Sequence, residues 1–405
     1  MKNTKLWADI SLFNFCAVAL LGVVLRSKIL FDLPWINYLN LLDAHSHFAF
    51  GGWITLALLM LFVKKLLVED DRNKHIYQWI LFSILSSSVG GSLAAILNAA
   101  ILRGLFSGIF IVMSYLFAGA FIKDICRASL NKSVRLLSIS AVICLILSSL
   151  GPLMLTYLHV TGSSQSFLYR DALYIYLHFQ YNGFFILSVF ALFFQKLYLK
   201  VQNQSQRTFY WFSLMLCVSI LPSLFLSFLW QAPNETFRCI AAAGSITVFA
   251  TVTLFIVFSL PVLKLARNLS LPVRPMLFLC AGAFVLKMIL QSLTISTTIG
   301  DAVFGDRPII IGFLHLVFLG LVSPFIVAYY THEKILNATS SLVIFSQFLF
   351  VSFVALNELI LMLQGLGAMF LKSSHLFSWS LWITSIGLLA SIVLIFVSGI
   401  KSRTH

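Results

Sequence analysis

Four histidines carry most of the chemistry that this sequence offers. His45 and His47 stand in DAHSHFAFGGW, His178 in YLHFQYNGFF and His315 in IIIGFLHLVFLG. Imidazole is the side chain that ligates haem iron and also suits copper or zinc in a protein interior. Each of the four lies in or at the edge of an apolar run. A lone histidine in such a run serves equally well as a hydrogen-bond partner between helices. Several on different helices at one depth would form a candidate site, because ionisable groups inside a membrane are costly and usually functional. The elements that position them therefore decide the reading.

Composition defines those elements. The chain has 405 residues, 60% of them hydrophobic and only 10% charged, with 39 Phe. An ordinary soluble domain carries about 25% charged residues, so an all-α, polytopic integral membrane protein is expected. A helix needs about 20 apolar residues to cross the hydrocarbon. Twelve such spans are expected at about residues 8–25, 44–63, 77–98, 105–122, 135–157, 172–195, 209–230, 239–261, 275–295, 309–330, 339–363 and 378–399. No small-residue cleavage site follows the first span, which reads as a retained helix. Most of the 27 Lys and Arg residues fall in alternate loops if the N-terminus is inside. The positive-inside rule then puts both termini in the cytoplasm, with a bacterial inner membrane as the expected location. The net charge of +14 is thus a topology signal, and no nucleic-acid partner is expected. The six cysteines show no ligand spacing and read as small buried hydrophobes. There is no Walker loop, dinucleotide fingerprint or nucleophile elbow.

The second, sixth and tenth spans all run from outside to inside, with the histidines near their outer ends. His178 and His315 lie roughly 9 Å below the outer boundary at 1.5 Å per residue, and His47 a little higher. Gly51 follows His47 by one turn, Gly52 shares the face of His45, and Gly312 precedes His315 by about a turn. Such glycines make room for a flat macrocycle that Phe48, Phe50, Phe313 and Phe318 could wall, or they serve close helix packing. His45 and His47 point about 200° apart, so only one can face a given iron. His47 is the deeper and better walled, with His45 left beside Asp43. Lys287 and Glu358 sit in the outer halves of their spans and require partners. They pair with each other, serve a proton path, or Lys287 neutralises a haem propionate. Arg307 is a second propionate candidate or an interfacial anchor. His75, His159, His332, His375 and His405, at span ends or in loops and tails, have ordinary interfacial or solvated roles.

With twelve spans, both termini inside and histidines in these three helices, the chain resembles the catalytic subunit, subunit I, of the haem-copper oxidases and nitric oxide reductases. HFAFGGW and HFQYNGFF are similar to the corresponding segments of its divergent members. The resemblance implies one transmembrane domain over residues 1–405 and a low-spin haem b held by His47 or His45 together with His315. It implies His178 as a copper ligand, a quinol or cytochrome electron donor, and additional subunits beside membrane lipid. The seventh span has no histidine and the tenth has one where the family has two. The implied protein is therefore a divergent member that keeps one haem, for electron transfer or for handling nitric oxide or a related small gas. Whether it is an enzyme stays open. Two other classes stand beside this reading: a transporter or channel with a histidine-lined outer site, and a scaffold or sensor binding a single copper or zinc.

Overall fold

The computed structural model describes residues 4–163, 167–197, 203–231, 234–266, 268–369 and 374–401, so His405 lies outside the described residues. All regular structure among these residues is helical. The twelve spans are α1 (Thr4–Leu30), α2 (Tyr38–Leu66), α3 (His75–Ile96), α4 (Ala100–Ile125), α5 (Lys132–Val160), α6 (Phe167–Leu197), α7 (Gln206–Gln231), α8 (Glu235–Lys264), α9 (Val273–Leu293), α10 (Arg307–His332), α11 (Ser341–Gly367) and α12 (His375–Lys401). The protein is an all-α, multi-pass integral membrane protein, and an even number of crossings returns the chain to the side on which α1 begins. Most spans extend several residues beyond the apolar cores, because helix continues into the interfacial layer where polar side chains reach water.

Three helices form the centre. Residues 50–63 of α2, 178–192 of α6 and 320–331 of α10 are each an unbroken buried run. A helix covered on every side has no lipid face or polar face to distinguish, and its sequence is apolar all round. The outer helices pack as consecutive pairs, α3 with α4, α7 with α8 and α11 with α12, while α1 packs on α12 to complete the ring.

Each central helix contains a π-helical segment: Phe48–Thr55 in α2, Phe179–Phe185 in α6 and Leu316–Val322 in α10. The wider turn loosens the backbone hydrogen-bond ladder, and neighbouring helices compensate. Asn14 of α1 donates its amide to the Gly52 carbonyl at 2.7 Å, and the Cys280 thiol of α9 donates to the Leu321 carbonyl at 3.1 Å. Close approach to the ring helices requires glycine here. A Cβ on Gly51 would fall 2.4 Å from Ser88 Oγ, and one on Gly183 would fall 2.4 Å from Cys144 Cβ.

Along their common axis the central helices meet at two levels. Phe50, Phe185 and Phe318, one from each π segment, form a triangle with ring centroids 5.7, 4.7 and 5.8 Å apart. Tilted and edge-on aromatic pairs contribute about 0.5–1.5 kcal/mol each beyond their burial. At the opposite end Lys65 of α2 and Lys196 of α6 both donate to the carboxylate of Glu333, the residue after α10. Trp53 Nε1 of α2 also donates to Ser323 Oγ of α10 at 2.9 Å.

Burial would raise the Glu333 carboxyl, but the hydrogen bonds from Lys196 and Lys65 outweigh it and hold its pKa below the usual glutamate value. A depressed carboxylate contributes stability in full above its unfolded-state pKa and loses it as the pH falls through the folded value. Glu333→Gln is therefore expected to destabilise the protein by roughly 1–3 kcal/mol at pH 7, since two lysines lose a shared, largely buried counter-charge. It should also flatten the acid limb of stability. Thermal unfolding in detergent at several pH values tests this, and an unchanged Tm at pH 7 would contradict it.

Candidate functional site

His45 and His315 lie within electrostatic range of each other, while His47 and His178 are bonded to other side chains or carbonyls. His45 Nδ1 bonds the Val18 carbonyl of α1 at 3.1 Å. Its ring lies over Gly22, where a Cβ would come within 3.3 Å of Cε1. His315 Nδ1 bonds the Ile311 carbonyl one turn earlier at 2.8 Å. A carbonyl only accepts, so both rings carry their proton on Nδ1 and keep a lone pair on Nε2. Among the described residues neither Nε2 has a hydrogen-bond partner. The two rings are close enough to interact electrostatically with each other and with Arg26.

His47 is placed differently from the expectation. Its Nε2 pairs with Asp43 Oδ1 at 3.1 Å, its side chain is 41% exposed, and Asp43 Oδ2 accepts from Arg103 at 2.8 Å. The expected neighbour of Asp43 was His45. The helix begins earlier than its apolar core suggests, at Tyr38, where Asn37 caps the backbone amides of Leu39 and Asn40. Residues 43, 45 and 47 are therefore already helical. The i,i+4 pair shares a face and the i,i+2 pair does not.

Arg26 is a residue that sequence reading missed as part of the site. Counted as a loop cation after a span ending near residue 25, it lies inside α1, which continues to Leu30. Arg26 also interacts electrostatically with Tyr38, and the guanidinium of Arg307 lies over the same Tyr38 ring, 5.3 Å from its centroid. Two cations thus lie near Tyr38 at the start of the helix that carries His45.

A second polar cluster sits between α6, α7 and α9. His178 Nε2 donates to the Ile220 carbonyl at 2.8 Å, and its Nδ1 accepts from Asn182 Nδ2 at 3.0 Å. Asn182 Oδ1 in turn accepts from Lys287, which also donates to Gln291 Oε1 at 2.6 Å. Lys287 is 1% exposed. The expected Lys287–Glu358 pair is not formed: among the described residues no carboxylate lies within ion-pair distance of Lys287, and Glu358 Oε1 accepts from Asn357 at 3.1 Å. Asn182 and Gln291 occupy the ammonium instead. Both ring nitrogens of His178 are engaged, leaving none for a metal. Among the described residues no group of three or more His, Cys, Asp or Glu side chains could hold a metal ion.

No protein-family model matches the chain, and no curated protein matches it. Internal similarity is more informative. His47, Phe50 and Gly52 have the same spacing as His178, Tyr181 and Gly183, and as His315, Phe318 and Gly320. In every case the π segment starts at the residue after the histidine.

Asn182 joins His178 to Lys287, so its loss strands a ring nitrogen and a buried ammonium. Asn182→Leu is expected to destabilise the protein by about 2–4 kcal/mol. Lys287→Met leaves the Asn182 and Gln291 side-chain carbonyls without this donor but removes the costlier buried amine, so its loss should be smaller, about 1 kcal/mol. Thermal unfolding of the two variants distinguishes them, and equal losses would refute the assigned bridge.

Proposed function

We propose that this protein is a haem-binding redox protein of the membrane, with His45 and His315 as the two iron ligands near the outer face. Its task on this reading is electron transfer, since two histidine ligands leave no position on the iron for a gas. The observation that carries the proposal is the matched state of the two rings: each spends Nδ1–H on a backbone carbonyl and presents Nε2. Such a bond fixes tautomer and ring orientation, as the outer partners of metal-bound histidines do. Haem supplies the one-electron chemistry.

The remaining residues support that assignment. Gly22 keeps the flank of His45 free of a side chain. Arg26 and Arg307, both near Tyr38, supply positive charge suited to propionates. Lys287 is bonded within the α6–α9 cluster and has no part in this set. Copper is not included, since His178 has both nitrogens committed and α7 contributes the Ile220 carbonyl in place of an imidazole. A conduit along the central axis, which the transporter reading would favour, meets the phenylalanine triangle and then the Lys65–Glu333–Lys196 triad.

The test is the absorption spectrum of purified protein, oxidised and reduced, in wild type and four alanine variants. We expect a low-spin b-type spectrum that His45→Ala and His315→Ala abolish and that His47→Ala and His178→Ala retain. A folded His315→Ala protein with full haem would sink the proposal. Loss of haem in His47→Ala but not in His45→Ala would return the ligand role to His47.

A further inference from the structure

A cavity of about 350 Å³ opens between the ends of α6, α8 and α10 and the start of α9. Tyr329, in its wall, lies 14 residues beyond His315 on α10, roughly 20 Å along the helix. The cavity is therefore distinct from the proposed haem site and independent of it. Its walls are Phe193, Phe255, Phe258 and Phe325, with Leu263 and Phe278 at the side. Those last two are 45% and 55% exposed, on a face that a membrane helix turns to lipid. Polar groups gather at the loop end, where Lys196, Arg274 and His332 contribute to the lining.

Charge at that end is positive. Lys65 and Lys196 share the single carboxylate of Glu333, which leaves the triad with an excess cation, and Arg274, whose Nε donates to the Leu269 carbonyl at 2.9 Å, lies in the same lining. Tyr329, 5% exposed, has a hydroxyl with no hydrogen-bond partner among the described residues. An apolar cleft open sideways to lipid, with cations at one end, fits an amphiphile with an anionic head. The positive-inside reading places that end at the cytoplasmic leaflet, where anionic lipids attract basic residues at about 1 kcal/mol per Lys or Arg.

We propose that this cleft binds one anionic phospholipid, an acyl chain lying against the phenylalanine walls and the phosphate held at the mouth by Arg274 and Lys196. Native mass spectrometry of the full-length protein tests it, after exchange into a defined mixture of phosphatidylglycerol and phosphatidylcholine. Wild type is expected to retain one phosphatidylglycerol in marked preference to phosphatidylcholine. Arg274→Gln should weaken that preference about fivefold, the equivalent of one lost cation. Ala281→Trp, which fills the cleft, should abolish retention; if that variant does not fold, Arg274→Gln alone decides. Equal retention of both lipids, a preference unchanged in Arg274→Gln, or an isoprenoid quinone retained in place of the phospholipid would each overturn the proposal.

Discussion

Three transmembrane helices that meet along fully buried runs, residues 50–63, 178–192 and 320–331, set the conditions for the rest of this molecule. Lipid tails are as apolar as leucine, so the hydrophobic effect does not drive such helices together; packing and interhelical hydrogen bonds do. The triangle of Phe50, Phe185 and Phe318 supplies the packing, and Glu333 between Lys65 and Lys196 supplies a polar tie. The glycines beside the triangle let the ring helices close in, as Ser88 and Cys144 do against α2 and α6. A side chain at Gly51 or Gly183 would push a ring helix outward and open the core at the level of the π segments.

Those π segments also explain why polar chemistry collects where it does. A widened turn disturbs the regular ladder, and in a membrane every disturbed backbone group needs another partner. Asn14 and Cys280 answer two such groups directly. The histidine preceding each segment has taken a different role in each helix. His47 pairs with Asp43, His178 bonds Asn182 in the Lys287 cluster, and His315 bonds the Ile311 carbonyl through Nδ1. The three positions share one spacing, and their local neighbours give each histidine a different set of partners.

Much of this was legible in the sequence, for reasons that are physical. Apolar length identifies twelve spans because hydrocarbon thickness leaves few alternatives. The choice between His45 and His47 was read the wrong way round as to Asp43, because an apolar core does not reveal that helix starts at Tyr38. Arg26 was lost for the same reason at the other end of α1. Lys287 was rightly expected to need partners, but amide partners on another helix leave no mark on its own span. The spacing shared by His47, His178 and His315 was visible in principle, given a search for thirds.

The central claim is that two imidazoles, His45 and His315, hold one haem iron. Two nitrogen ligands of this kind leave ferric haem low-spin, whereas a single histidine leaves a coordination position for water or a gas. Low-temperature electron paramagnetic resonance of the oxidised, purified protein therefore tests the account most directly. The account predicts a low-spin ferric signal integrating to about one haem per chain. A high-spin axial signal, or a folded protein that carries no haem after purification and does not take it up on titration, would contradict it.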